Sequence, residues 1–208
     1  MNDRMLVAAK VDARMTDALS VIATTLHPAF DKVVLPGKSK ESCVLCSLTV
    51  RDFLWQAGWK DATCTTVYMM IVASDPQGKE IWSLGVGDHT GIPTTTPAPV
   101  DTPDRWSGHM VVEVPSAGII IDTTMYPSRR EKYWPKLPGM AAVMIDNNGP
   151  VSYGLTPVAG LASDDAKGSV RVVWLRQPNK RWQGAPDAVR ARRLPVVKGM
   201  LHALRMFA

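Results

Sequence analysis

The sequence predicts an α+β protein in which helix-forming segments come first, mainly antiparallel strands follow, and a further helix closes the chain. Three observations carry this expectation. Apolar residues recur at three- and four-residue spacing near the start. β-branched and aromatic residues gather into short runs between about 62 and 124. No stretch repeats.

Taken in order, residues 3–26 read as an amphipathic helix with Met5, Leu6, Ala9, Val11, Met15, Ala18, Leu19 and Ile22 on its apolar stripe. His27-Pro28 is expected to end it, because the residue before a proline is biased away from helical geometry. A loop closed by Pro36-Gly37 leads to Ser42, a plausible N-cap, and a second helix runs from Cys43 to about Ala57 with Gly58 as its stop. "ATCTTVYMMIVAS" (62–74) reads as a buried strand, and "EIWSLGV" (80–86) as its partner across a "DPQGKE" turn. The segment 87–108 holds four prolines between Gly87 and Gly108, and an irregular loop of that length in a small domain is usually functional or mobile. "HMVVEV" and "GIIIDTT" form a hairpin around Pro115–Gly118. Shorter strands are expected near 140–146 and 169–176, and a terminal helix is open to a break at Pro195.

Composition narrows the class. The 208 residues, 46% of them hydrophobic, suffice for one sizeable core. Three cysteines do not make a disulfide framework, the opening residues do not read as a signal peptide, and no run has the length of a membrane span. The expectation is a reduced, cytoplasmic globular protein. The net charge of +5 is concentrated at the end, where residues 179–208 carry seven Lys or Arg against one Asp. Such a patch suits weak contact with an anionic partner, or is simply a solvated helix face. The aromatic-interleaved basic pattern of a nucleic-acid module is missing.

"ESCVLCSLTVRDFLWQAGW" (41–59) places Cys43 in the first turn of the second helix, where backbone N–H groups and the helix dipole favour a thiolate. A cysteine nucleophile also needs a base, and the base needs a group to fix its tautomer. His109 begins one hairpin strand and Asp122 ends the other, so strand pairing would set imidazole beside carboxylate. Cys43, His109 and Asp122 are therefore the candidate catalytic residues. The Cys43 backbone N–H, with Trp82 or Trp106, is the candidate oxyanion or substrate contact.

These motifs resemble the transglutaminase-like branch of the papain-like cysteine enzymes. In that family a Cys opens a helix, a small residue follows four positions on, and a Gly about fifteen residues later leads to a strand; Cys43, Ser47, Gly58 and "DATCTTVYMM" fall on that pattern. "GHMVVEVPSAGIIIDTT" is similar to the family's second signature, with His109 and Asp122 on the triad positions. The His-Met pair is also similar to arylamine N-acetyltransferases. The match covers residues 41–124, and departs from the family in Glu41-Ser42 before the cysteine and Met110 after the histidine. The resemblance implies a papain-like, transglutaminase-like core of residues 1–180, the cysteine helix packed on an antiparallel sheet, and a basic helical extension at 181–208. It implies a cysteine peptidase, amidase or acyltransferase that needs no cofactor and acts on a peptide, protein or small amide or acyl substrate.

Other readings stay open at this level. Cys43 is also explicable as a buried structural thiol, like Cys46 and Cys64. "CVLC" is the spacing of a thiol oxidoreductase, although "SKES" makes a weak lead-in strand, and zinc would lack a second close ligand pair. His89, beside Asp88, is a rival base. A catalytically idle relative that binds a partner through its basic end or its Pro-Thr loop belongs to a different functional class.

Overall fold

The computed structural model describes residues 5–33, 38–88, 91–92, 106–128, 137–149, 151–166 and 168–207. The chain opens with a short strand, β1 (Leu6–Ala8), and its first helix, α1, spans Ala13–Val33. Both ends of α1 depart from the stripe expected at 3–26. At the start, Asp12 is the cap: its Oδ1 accepts from the Met15 N–H at 2.7 Å. At the other end the helix continues through Pro28. That proline forfeits one helical hydrogen bond, but the extra turns complete the burial of Leu26 and Phe30.

A one-turn 3-10 helix, Lys38–Glu41, leads into α2 (Cys43–Ala57). Gly58 ends α2 at φ +116°, a left-handed cap in which a side chain would be strained. Ser42 holds the N-cap position without capping; its hydroxyl donates instead to Asp187.

The strands β2 (Thr63–Ser74), β3 (Glu80–Val86), β4 (His109–Val114), β5 (Ile119–Asp122), β6 (Ala141–Met144), β7 (Pro157–Asp165) and β8 (Gly168–Arg176) join β1 in one sheet. Its order is β1-β6-β5-β4-β2-β8-β7, with β3 on β2. A bridge from Ile145 to Ala159 brings β6 against β7, so the sheet nearly closes on itself. Among the described residues only the β1–β6 pairing is parallel. Sequence reading passes over β1 and β7. "PVAGLASDD" has little β propensity of its own, and its pairing with β8 from Pro157 to Asp165 supplies what propensity does not.

Two cores result. Inside the curled sheet lie Val67, Met69, Ile71, Val111, Ile120, Val143, Val172 and Trp174, contributed by alternate positions of the strands. On the outer face, Val112, Val114, Ile119 and Ile121 pack against α1, α2 and the last helix, α3 (Arg190–Arg205). Within the segment 181–208, Val196, Val197 and Met200 of α3 belong to the same core as α1 and α2. α3 is continuous through Pro195. Among the described residues no helix is long and apolar enough to cross a membrane.

β2 positions the site. Its edge pairs first with β4, over Thr63–Val67, and then with β3, over Met69–Ser74, while β8 covers the opposite edge. β3 and β4 therefore part company opposite Tyr68. His109 begins one of them, and the Gly85–Gly87 segment ends the other.

Candidate functional site

The hairpin places His109 and Asp122 as strand alternation demands. Val112 pairs with Ile121 and Glu113 with Ile120, so His109, Val111, Ile120 and Asp122 share the inward face. His109 Nε2 donates to Asp122 Oδ2 at 2.7 Å, and both residues are buried. The other Asp122 oxygen, Oδ1, accepts from the Thr124 N–H at 2.9 Å. A further donor comes from a residue that sequence reasoning misses: the Trp174 indole N–H reaches Asp122 Oδ2 at 2.9 Å from β8. The available signal was general. A tryptophan in the apolar run "SVRVVWLR" needs a partner for its N–H when buried, and Trp174 is fully buried.

This environment moves both groups. Burial disfavours the charged imidazole, but the Asp122 carboxylate, their shared hydrogen bond and a hydrogen bond to Cys43 outweigh it, raising His109 from 6.5 to about 10. Burial likewise pushes the Asp122 carboxyl up, and is overcome by the His109 charge and by bonds from His109, Thr124 and Trp174, which hold it below 3.8. With Nε2 committed to Asp122, Nδ1 is the ring nitrogen left for Cys43.

Cys43 is the first residue of α2 and is half-buried. Its thiol donates to the Gly108 carbonyl oxygen at 3.6 Å. Ser47, one helical turn on, donates to the Met110 carbonyl oxygen at 2.9 Å and is buried. A small hydroxyl residue here lets α2 lie close against β4, which sets the distance between thiol and imidazole. All three expected catalytic side chains therefore meet at one rim of the sheet.

They open into a cleft of about 460 Å³ whose lining includes Cys43, His109, Trp106, Val86, Thr124 and Asp187. Glycines shape its floor. A Cβ on Gly87, where φ is +123°, would lie 2.7 Å from the Val67 carbonyl oxygen, and one on Gly108 would lie 1.9 Å from the Trp106 ring. Of the two candidate tryptophans, Trp106 lines this cleft, and its buried Nε1 has no hydrogen-bond partner among the described residues. Trp82 lies elsewhere, on β3 against the inner core.

The remaining cysteines differ from Cys43. Cys46 is fully buried and donates to the Ser39 carbonyl oxygen at 3.2 Å; burial, the neighbouring Cys43 and the Asp187 and Asp122 carboxylates push its thiol up. Cys64 is pushed up to about 12, chiefly by burial. All three are free thiols, and no group of three His, Cys, Asp or Glu among the described residues is placed to hold a metal ion. His89, and the loop expected beside the cleft at 89–90 and 93–105, lie outside the described residues. At the loop's base, Asp88 accepts from Asn179 and Arg181, each at 2.6 Å. Several basic residues of the C-terminal stretch are likewise engaged: Arg192 pairs with Asp187 at 2.8 Å, and Arg193 with Asp52 at 3.0 Å.

Compared with protein-family models, with curated proteins and with solved structures, the chain has no match.

Proposed function

We propose that this protein is a cysteine-dependent acyl-transfer enzyme of the transglutaminase-like, papain-like kind, with hydrolysis of a peptide or amide bond as its leading reaction. The observation that carries the reading is the buried His109–Asp122 pair, 2.7 Å apart, in an open cleft that the half-buried Cys43 also lines.

His109, its proton affinity raised by Asp122, already holds the proton given up by the thiol, and the Cys43 Sγ paired with it attacks a substrate carbonyl carbon. A C–S bond forms and the carbonyl oxygen becomes an oxyanion. First-turn N–H groups of α2 lack an intrahelical partner and Ser42 does not cap them, so the Cys43 end of α2 supplies the donors for that oxyanion. The C–N bond then breaks and the proton returns from His109 to the departing amine. Water, activated by His109, cleaves the thioester and regenerates the thiol; an amine in place of water makes the same cycle an acyl transfer. Asp122 holds His109 in the required tautomer throughout.

Intact-protein mass spectrometry after brief exposure to a reactive aryl ester tests this. One acyl adduct, mapped to Cys43 and absent in Cys43→Ala and His109→Ala, is expected. Acylation that spreads over the three cysteines, or that ignores His109→Ala, sinks the proposal.

A further inference from the structure

We propose that His27, on α1 and far from the catalytic constellation in sequence, is a positioning residue that fixes Asp122 and the Cys43 helix relative to one another. This rests on the cysteine acyl-transfer reading above. His27 is buried, and both ring nitrogens are engaged. Nε2 lies 2.9 Å from the Thr123 carbonyl oxygen, and Nδ1 lies 3.0 Å from Ser39 Oγ. A carbonyl oxygen only accepts, so Nε2 carries the proton and donates, and Nδ1 accepts from the Ser39 hydroxyl.

Each partner leads to the site by a short route. The Thr123 carbonyl and the Thr124 N–H belong to one peptide group. Its oxygen accepts from His27, and its N–H donates to Asp122 Oδ1 at 2.9 Å. Holding that rigid plane at its oxygen therefore fixes the N–H that aims the carboxylate at His109, and the two bonds polarise one another through the amide. On the other side, Ser39 belongs to the 3-10 turn that feeds α2. Its carbonyl oxygen accepts from the Ser42 N–H at 3.2 Å and from the Cys46 thiol at 3.2 Å, on either side of Cys43. One imidazole thus ties the approach to the nucleophile to the turn after Asp122. The Tyr126 ring packed perpendicular to it, with centroids 5.1 Å apart, restricts its rotation.

The test compares His27→Gln, His27→Asn and His27→Phe with wild type, by the iodoacetamide alkylation rate of Cys43 and by the NMR titration of the His109 ring. Gln places an amide N–H near the position of Nε2 and keeps the bond to Thr123, whereas Asn is too short to do so. His27→Phe and His27→Asn are expected to slow Cys43 alkylation by about tenfold and to lower the His109 midpoint, with His27→Gln staying within about threefold of wild type. If Gln and Asn behave alike, tracking only their thermal stability, His27 is ordinary core and the proposal falls. Should His27→Phe not fold, the Gln–Asn pair still decides. A wild-type Cys43 that reacts no faster than Cys46, or is indifferent to His109→Ala, overturns the acyl-transfer reading and this role with it. Normal His109 dependence with a silent His27 series overturns this role alone.

Discussion

Asp122 accepts from His109, from Trp174 and from both the N–H and the hydroxyl of Thr124 while fully buried, so each donor bears on how readily the carboxylate stays charged. Trp174→Phe keeps most of the ring and removes one of them. The expected cost is about 1–3 kcal/mol in denaturant unfolding, since a buried acceptor loses a partner without gaining water. Acid unfolding should also begin at higher pH, because a bond favouring the carboxylate is gone. The His109–Asp122 pair has its own pH signature. His109, raised above its unfolded 6.5, stabilises the fold fully below 6.5 and loses that contribution as pH climbs through about 10. Asp122, held below its unfolded 3.8, contributes above 3.8 and loses it as pH falls through its lowered value. The stability gap between wild type and Asp122→Asn should therefore be widest between 3.8 and 6.5 and shrink on both sides. Urea unfolding at a series of pH values reads this directly, and a gap independent of pH would contradict it. The meeting of Cys43, His109 and Asp122 is legible in the sequence because it depends on a helix start and one hairpin, both local features. Trp174 and His27 are not legible, since their bonds to this region span 52 and 96 residues and leave no local pattern.

At the scale of elements, the close approach of α2 to β4 and the divergence of β3 from β4 create the cleft. Gly87 sits at that divergence with a backbone conformation and a lack of space that both exclude a side chain. Gly87→Ala should destabilise by more than the roughly 1 kcal/mol usual for a glycine in a left-handed conformation, because the new methyl meets backbone that cannot swing aside. It should also disturb His109, whose Cβ lies 3.5 Å from that methyl position. A denaturant midpoint equal to wild type would show that the turn relaxes freely. Elements whose own composition fits their geometry, such as α2, β2 and the β4–β5 hairpin, are readable from sequence. β1, β7 and the last turn of α1 owe their form to partners distant in the chain. Apolar spacing alone places the first helix too early, because Leu6–Ala8 pairs with Ala141–Val143 and leaves Asp12 to begin the helix.

For the whole molecule, the deciding question is what the basic C-terminal stretch does. Counted along the chain, seven cations against one acid look like a surface offered to an anion. The fold gives several of them internal work. Arg193 is almost completely buried: Nε and Nη2 meet Asp52 Oδ2 at 3.1 and 3.0 Å, and Nη1 donates to the Ala188 carbonyl oxygen at 2.6 Å. This fork pins α3 to α2 over the core that Val196, Val197 and Met200 share with α1. Asp52 keeps its pairing with Arg51 at 2.6 Å, so Arg193→Ala, which loses the buried fork and its bond to Ala188, should cost about 1–3 kcal/mol. Lys198→Ala, at an exposed position on the same helix, should change stability by less than about 0.5 kcal/mol. Truncation after residue 189 removes the helix outright, exposes the faces of α1 and α2 that it covers, and should yield a chain without a cooperative unfolding transition. A truncated chain that melts cooperatively near wild type, with Arg193→Ala no worse than Lys198→Ala, would return this stretch to the role of an appended basic surface.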